Sequence, residues 1–305
     1  MTFDHIFDQL DIQAEPFAIC EIHGTCHVAL KPDSAVTLHY ILSGEGQIKM
    51  RGQPPIKIAA GSLVLIPSLN SHEVQNDGAR VVPGPACKPA ALNLAQILKS
   101  DPEDEPSTSR LIALCAHVNI GLMGATDVIN LIREPLVVQA DNDTALLALV
   151  DALTSEVSEP RIGSRALIRA LLLQAVIAML RDRMAAGDGT MDWMAALRDP
   201  MIWKALSAML DSPGDPHSVE SLADASGMSR AAFAKRFAQA YGAGPMELLR
   251  SLRVRKAGEL LRNTDLPVKR VAETVGFSSR SAFSRTFEAV AGQSPSTFRK
   301  ESRAS

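Results

Sequence analysis

Cysteine and histidine crowd the front of this chain: Cys20, His23, Cys26, His27, His39, His72 and Cys87 fall within 68 residues. Thiolate sulfur and imidazole nitrogen together form a donor set suited to zinc or copper. The string His23-Gly24-Thr25-Cys26-His27 lacks the first cysteine of a haem-attachment motif, which disfavours haem. A strand over 26–30 would place Cys26, Val28 and Leu30 on one face, where Cys26 is simply buried. A second kind of chemistry lies near the other end. The segment VAETVGFSSRSAFSRTF, residues 271–287, combines three phenylalanines and a central glycine with serines and two arginines. Arginine grips guanine through two hydrogen bonds and serine bonds to any base edge.

The elements that must position these groups come from charge, repeat and periodicity. The chain has 305 residues, of which 46% are hydrophobic, enough for two cores. Its net charge of −3 divides unevenly: residues 1–203 hold 15 Lys+Arg against 24 Asp+Glu, and residues 204–305 hold 16 against 10. A basic C-terminal third on an acidic chain is an electrostatic footprint for phosphate, or a merely solvated surface. An internal repeat decides between them. Val219, Leu222, Ala223 and Gly227 recur 49 residues later as Val268, Val271, Ala272 and Gly276; Phe233, Phe237, Gly242 and Pro245 recur 50 later as Phe283, Phe287, Gly292 and Pro295. Each copy reads as helix, glycine turn and a second helix behind a capping serine. Glycine suits the turn because it adopts a left-handed backbone without steric cost.

At 100° per residue, Phe283, Phe287 and Val290 face the core of the later copy, and Phe233, Phe237 and Ala240 face that of the earlier one. The outward faces are Ser281, Ser284, Arg285 and Glu288 in the later copy, and Ala231, Ala234, Lys235 and Ala238 in the earlier. Small residues and cations at the front of a helix fit a major groove, with alanine packing on thymine methyl groups. Arg230 and Arg280 occupy matching N-terminal shoulders, positions suited to phosphate. Between the copies, Pro245–Arg262 reads as a spacer helix that sets two reading units one helical turn of DNA apart, about 34 Å.

The run SVESLADASGMSRAAFAKRFAQAYGAGPMELL…RVRKAGELL, followed by LPVKRVAETVGFSSRSAFSRTFEAVAGQSPSTFR, resembles the DNA-binding domain of the AraC/XylS family of bacterial transcription regulators. The likeness covers about 100 residues, Asp199 to Arg299. It implies seven helices, double-stranded DNA as partner, and activation by contact with RNA polymerase. Carried over by position, it makes Arg230, Ala231, Ala234 and Lys235 in the first unit, and Arg280, Ser281, Ser284 and Arg285 in the second, the base- and phosphate-contact candidates. Phe298 stands where the family often has tyrosine.

Ahead of it, residues 35–82 alternate short apolar runs with turns, the pattern of a small antiparallel barrel. Gly61-x5-Pro67-x4-His72, with His39 in LHYILSGEG, resembles a cupin barrel motif over roughly residues 10–90. Glu45 is read in a glycine turn rather than on a strand, and the full ligand set of a metal-dependent cupin enzyme is not present. In the cupin-bearing branch, which includes reactive-chlorine-sensing activators, a cysteine precedes the barrel histidine and another follows the second histidine. Cys20, His39, His72 and Cys87 hold the matching places. The resemblance therefore implies a sensor of an oxidant, electrophile or soft metal; whether a metal is bound stays open, and no cofactor is expected.

The middle of the chain reads as a surface-running stretch over 83–109, a helix over Asp143–Glu156 and a longer apolar one over Ser164–Ala186. The longer helix either fills a core or pairs with its copy in a homodimer. Its most apolar part, Ala166–Leu180, is interrupted by Arg169 and Gln174 and is too short to span a bilayer, for which about 20 residues are needed. The acidic start MTFDHIFDQL and four cysteines without paired spacing point to the cytoplasm. A glycine-containing loop and one further turn lead to Asp199-Pro200, a cap followed by proline at the first helical position.

The expected class is α+β: a cupin-like β-barrel with a helical dimerisation region over residues 1–190, then an all-α domain over 199–300. Its two helix-turn-helix motifs fall at about 218–240 and 267–291. The expected function is an effector- or redox-responsive transcription regulator without catalytic activity. A cupin-type metalloenzyme fused to a DNA-binding module is the alternative, and a repair protein of the alkyl-transferring sort would need a four-cysteine cluster that is absent.

Overall fold

The computed structural model describes residues 3–23, 26–30, 34–76, 82–83, 97–99, 110–122, 128–139, 144–187, 189 and 191–303. They form two compact units. One comprises Gln13–Val118 with Glu134–Ala186; the other comprises Gly187–Ser305 together with Met1–Ile12 and Asn119–Arg133.

The first unit is built on two sheets. Its strands are β1 (Leu10–His23), β2 (Cys26–Leu30), β3 (Val36–Ser43), β4 (Glu45–Met50), β5 (Ile56–Ala59), β6 (Leu63–Ile66), β7 (His72–Asn76), β8 (Val82–Pro83), β9 (Ile97–Lys99), β10 (Arg110–Leu122) and β11 (Leu136–Val138). One sheet has the order β11-β6-β3-β10-β1-β9, the other β5-β4-β7-β2-β8. Ile22, Ile41, Ile48, Val64, Val74 and Leu111 are among the buried side chains of the cluster that includes strands of both sheets. Alternation along β3 assigns its faces. His39 and Ile41 share one side, while Leu38, Tyr40 and Leu42 take the other and are equally buried. That second side is covered because helix α2 (Thr144–Ser158) lies on it, with the Tyr40 hydroxyl donating to Leu146 O at 2.8 Å.

One sequence expectation changes here, and one unassigned stretch gains a structure. Glu45 is not in the turn: Gly44, at φ 86°, completes it alone, and Glu45 is the exposed first residue of β4. The next residue, Gly46, lies so near β7 that an added Cβ would stand 2.1 Å from Gln75 O. Residues 110–122, which carry no periodic signal strong enough to assign, form a 13-residue strand. Of the stretch 83–109 expected to run over the surface, only residues 83 and 97–99 are described; Cys87 lies outside the described residues. The apolar helix α3 (Ser164–Ala186) buries Ile168, Leu172, Val176, Met179 and Leu180, packing on α2 and β11, and leaves Leu167 exposed.

The second unit is helical. α1 (Phe3–Asp8) and α4 (Asp192–Arg198) precede seven helices: α5 (Pro200–Asp211), α6 (Val219–Ala225), α7 (Arg230–Tyr241), α8 (Pro245–Asn263), α9 (Val268–Thr274), α10 (Arg280–Ala291) and α11 (Pro295–Arg303). The single turn expected before Asp199 is thus a full helix, α4. Local chemistry explains the boundaries. Asp199 caps α5 by accepting from the Met201 and Ile202 amides, Ser229 and Ser279 cap α7 and α10, and Gly242 and Gly292 end them at φ 82° and 72°. No helix among the described residues is long and apolar enough to cross a membrane.

Candidate functional site

Two places carry the residues singled out by the sequence. The first is the pair α7 and α10, each the second helix of a hairpin whose turn holds a left-handed glycine, Gly227 at φ 67° and Gly276 at φ 82°. Aromatic anchors set the rotation of both helices. Phe233, Phe237 and Tyr241 stack in series on α7, with ring centroids 5.6 and 5.7 Å apart. Phe277, Phe283, Phe287 and Phe298 do the same around α10. With that face buried, Arg230, Ala231 and Lys235 on α7 and Arg280, Ser281 and Arg285 on α10 are exposed, and Ala234 and Ser284 are half-buried.

The inward set differs from the expected one at its last member. Val290 is exposed and Ala291 is buried, because the stripe continues as 283, 287, 291 rather than turning back to 290. In α7 likewise Tyr241 is buried where Ala240 was expected to lead, and its hydroxyl donates to Leu131 O.

The electrostatics of the two reading faces are unequal. Arg230 pairs with Glu220 of α6 at 2.9 Å, whereas among the described residues the side chains of Lys235, Arg280 and Arg285 form no ion pair. Several other cations of this basic segment are committed to the fold. Arg236 reaches Asp199, the cap of α5. Arg253 on α8 donates to the carbonyls of Pro213, Asp215 and Gly276. Arg299 donates to Leu261 O and Leu266 O, and Arg303 pairs with Asp265. The basic excess therefore overstates the charge presented to a ligand. Sequence reasoning missed these roles, for which nothing local gives a signal.

The second place is inside the barrel. His39 on β3 and His72 on β7 meet across the two sheets, Nε2 to Nε2 at 2.6 Å, and both are buried. Cys115 on β10 is the cross-strand partner of His39, and its Sγ lies 3.1 Å from His39 Nδ1. Cys20 on β1, the strand beside β10, brings its Sγ to 3.3 Å from that of Cys115. Three of the four expected residues, Cys20, His39 and His72, are thus together, and the fourth member observed is Cys115. The inward alternation Leu111, Ala113, Cys115 was a usable sign that this cysteine enters the core; its meeting with residue 39 was not.

Burial, then the neighbouring rings of His72 and His117, keeps His39 well below its ordinary pKa. Burial pushes His72 down to about 4, opposed by its hydrogen bond to Asn70. Both rings are therefore neutral at pH 7, each with one N–H. The bonding then orders the protons. Asn70 O can only accept, so His72 Nδ1 carries its proton and Nε2 is bare. His39 Nε2 donates to that lone pair, which leaves His39 Nδ1 to accept from the Cys115 thiol. The Cys20 thiol in turn donates to Cys115. The four groups form a line with all protons pointing one way, not a cage, and among the described residues no three such side chains surround a point that could hold a metal ion.

Comparison with known proteins accords with this two-part organisation. Residues 2–185 match the cupin family, and residues 222–301 match a helix-turn-helix domain. The chain is 26% identical to the HTH-type transcriptional regulator AlkR of Acinetobacter baylyi, over 97% of this chain and 98% of that protein. It is also 26% identical to the RCS-specific HTH-type transcriptional activator RclR of Escherichia coli, over 88% of this chain and 86% of that one. Among solved structures, the DNA-binding domain of AdpA in complex with a target DNA is 34% identical, covering 35% of this chain and 95% of that one, with a TM-score of 0.33.

Proposed function

We propose that this chain, which belongs to the AraC family of DNA-binding transcription regulators and carries a cupin domain ahead of its helix-turn-helix domain, reads two successive major-groove segments with α7 and α10 and answers to a signal received in the barrel. The observation that carries the reading is the duplication. Two helices of equal length, each behind a capping serine and anchored by paired phenylalanines, turn faces of matching position outward. In this reading residues 1–190 are the sensor and residues 199–300 the reader. Arg280 grips phosphate, Arg285 and Ser281 address base edges, and the alanines of α7 pack on thymine methyls while Lys235 holds the backbone. Arg230 exchanges its bond to Glu220 for a phosphate on docking.

The protein is an activator that contacts RNA polymerase, works in the cytoplasm, pairs as a homodimer and turns over no substrate. The barrel group of Cys20, His39, His72 and Cys115 belongs to the signal side, and a relative named as an RCS-specific activator supports an oxidant over a bound metabolite. A linear arrangement of neutral donors gives a metalloenzyme no support.

Binding-site selection from random duplexes, with wild type and Arg285→Ala, tests the reading. A bidentate arginine on guanine gives a loss of about 1–3 kcal/mol confined to one base position. Uniform weakening across all sequences would move Arg285 to the phosphate set. No salt-dependent preference for any duplex would overturn the reading as a whole.

A further inference from the structure

We infer that Arg253 is a positioning residue for the whole reader: together with Gly214 and Gly276 it locks the two hairpins to one another, so the chain accepts a single separation of its two DNA elements. For its consequence the inference rests on the reading of α7 and α10 as DNA-reading helices; the lock itself rests on geometry.

The spacer helix alone does not fix how the hairpins face. α8 follows the first hairpin through Gly242, Ala243 and Gly244, where Gly242 is left-handed at φ 82° and a Cβ added at Gly244 would meet nothing within 4 Å. It leads to the second through residues 264–267, of which Asp265, Leu266 and Pro267 are exposed. Arg299 and Arg303 brace this second joint, but their partners, Leu261, Arg262, Thr264, Asp265 and Leu266, lie at the end of α8 and in the joint itself. A rod with a short irregular joint at each end sets a distance and leaves tilt and rotation to other contacts.

The contact that sets them is direct. The loop between α5 and α6, which leads into the first hairpin, packs main chain to main chain on the turn of the second. A Cβ added at Gly214 would stand 2.3 Å from Thr274 O, and one added at Gly276 would stand 2.6 Å from Gly214 O. Only residues without a side chain let the two backbones come so near, and the φ of 82° at Gly276 calls for glycine a second time. Arg253, near the middle of α8, closes the junction. Its Nε donates to Pro213 O and its Nη2 to Asp215 O, each at 2.8 Å and both in that loop, while Nη1 donates to Gly276 O at 3.0 Å. One planar fork thus holds three carbonyls that lie in different directions, which a single ammonium on a flexible stem does not reproduce. The grip reaches the first reading helix by a short path, since Ser218, just beyond Asp215, caps α6, and α6 packs on α7. It reaches the second at the turn between α9 and α10.

Rigidity becomes selectivity for spacing. Two readers held together engage their second element as an intramolecular event, and the advantage is greatest where the separation of the elements matches that of the readers. One base pair added between the elements moves the second by about 3.4 Å along the axis and turns it by about 35° around the duplex. A locked pair cannot follow that displacement. A loose pair follows it in part, but must be ordered on every site and so binds the matching one less tightly. Arg253 therefore acts on specificity through geometry rather than through a base contact.

The test has a DNA-free arm and a duplex arm, both on the full-length chain. Spin labels carried by non-natural residues at Gln239 and Ala289, exposed and at matching positions of α7 and α10, report the distance between the reading helices by pulsed electron resonance. A narrow distribution is expected for wild type and a broader one for Arg253→Met, which keeps the length of the side chain and removes its donors; equal widths overturn the lock. The duplex arm uses the strongest sequence selected from random duplexes, the same sequence with base pairs added or removed between its elements, and versions with either element scrambled. Wild type is expected to lose on the order of tenfold in affinity for each base pair of altered spacing. Arg253→Met is expected to bind the original duplex on the order of tenfold more weakly, to lose far less when the spacing changes, and to match wild type on the single-element duplexes. An unchanged spacing dependence, or equal weakening on the single-element duplexes, overturns the positioning role. Arg253→Lys keeps the charge and is expected to resemble Arg253→Met in both arms, so it carries the test if urea unfolding shows the methionine variant to be misfolded; wild-type behaviour of the lysine variant overturns the role given to the fork. If wild type prefers no duplex, the regulator reading fails and the label distances still decide the lock.

Discussion

The two turn glycines look equivalent in sequence, yet replacing them by alanine is expected to have very different costs. At Gly227, with φ 67°, an added Cβ meets nothing within 4 Å, so Gly227→Ala costs only the left-handed backbone, roughly 1–2 kcal/mol. At Gly276, with φ 82°, the same carbon would stand 2.6 Å from Gly214 O and 2.9 Å from the Arg253 Cζ. Neither neighbour gives way easily. Gly214 O is backbone, and the Arg253 guanidinium is held by the carbonyls of Pro213, Asp215 and Gly276 itself. Displacing it forfeits at least one charge-assisted hydrogen bond, worth roughly 1.5–3 kcal/mol, so Gly276→Ala is expected to cost about 3–5 kcal/mol. The entropy that alanine removes from the unfolded chain is common to both variants and cancels in their comparison. Both tryptophans, Trp193 and Trp203, lie in the helical unit, so urea unfolding followed by tryptophan fluorescence reads this unit. Equal losses, or a larger loss for Gly227→Ala, would refute the account of Arg253 as a clamp on the second hairpin.

Tyr241→Phe leaves Leu131 O without its donor in a buried setting and is expected to cost about 1 kcal/mol in the same unfolding experiment; no change would remove the claim that this bond secures residues 128–133 to the helical unit. The barrel is expected to weaken in mild acid. Unfolded His72 binds a proton below about 6.5 but folded His72 only near 4, so the unfolded state takes up more protons and stability falls between those values, by about 3 kcal/mol for this one group, with no effect above them. Circular dichroism melts of wild type and His72→Gln at pH 7 and pH 4 check this, the variant being expected to lose less; identical losses would contradict it. Gly46→Ala drives a Cβ into Gln75 O and is expected to abolish pairing of β4 with β7, visible as lost amide protection across both strands.

The reader was legible because its determinants are local. A capping serine, a left-handed glycine and an aromatic every fourth position each act within one or two turns of helix, so α6, α7, α9 and α10 follow from the residues within them. The exception, Val290, fell at the last turn of α10, where small errors in phase have accumulated and the neighbour Ala291 turns inward instead. The barrel strands between residues 36 and 66 were legible for a similar reason, since alternation and turn residues mark them, whereas β1 was not assigned from the sequence. Residues 110–122 were not. Both faces of β10 are buried over most of its length, so its apolar residues run on without the polar alternation that marks a half-exposed strand.

Composition and spacing by themselves determined an acidic, strand-patterned front followed by a basic, duplicated helical hairpin; the resemblance of those residues to AraC-type regulators and cupins supplied the DNA-reading role and singled out histidines 39 and 72. Tertiary structure alone decided which thiol joins them, which arginines hold the fold rather than face outward, and that residues 128–133 belong with the helices. The physical reason is range. Helix caps and turns are set by neighbours a few bonds away, whereas the contact of Cys115 with His39 spans 76 positions and that of Arg253 with Gly276 spans 23. Such contacts exist only once strands have found their partners and helices have packed.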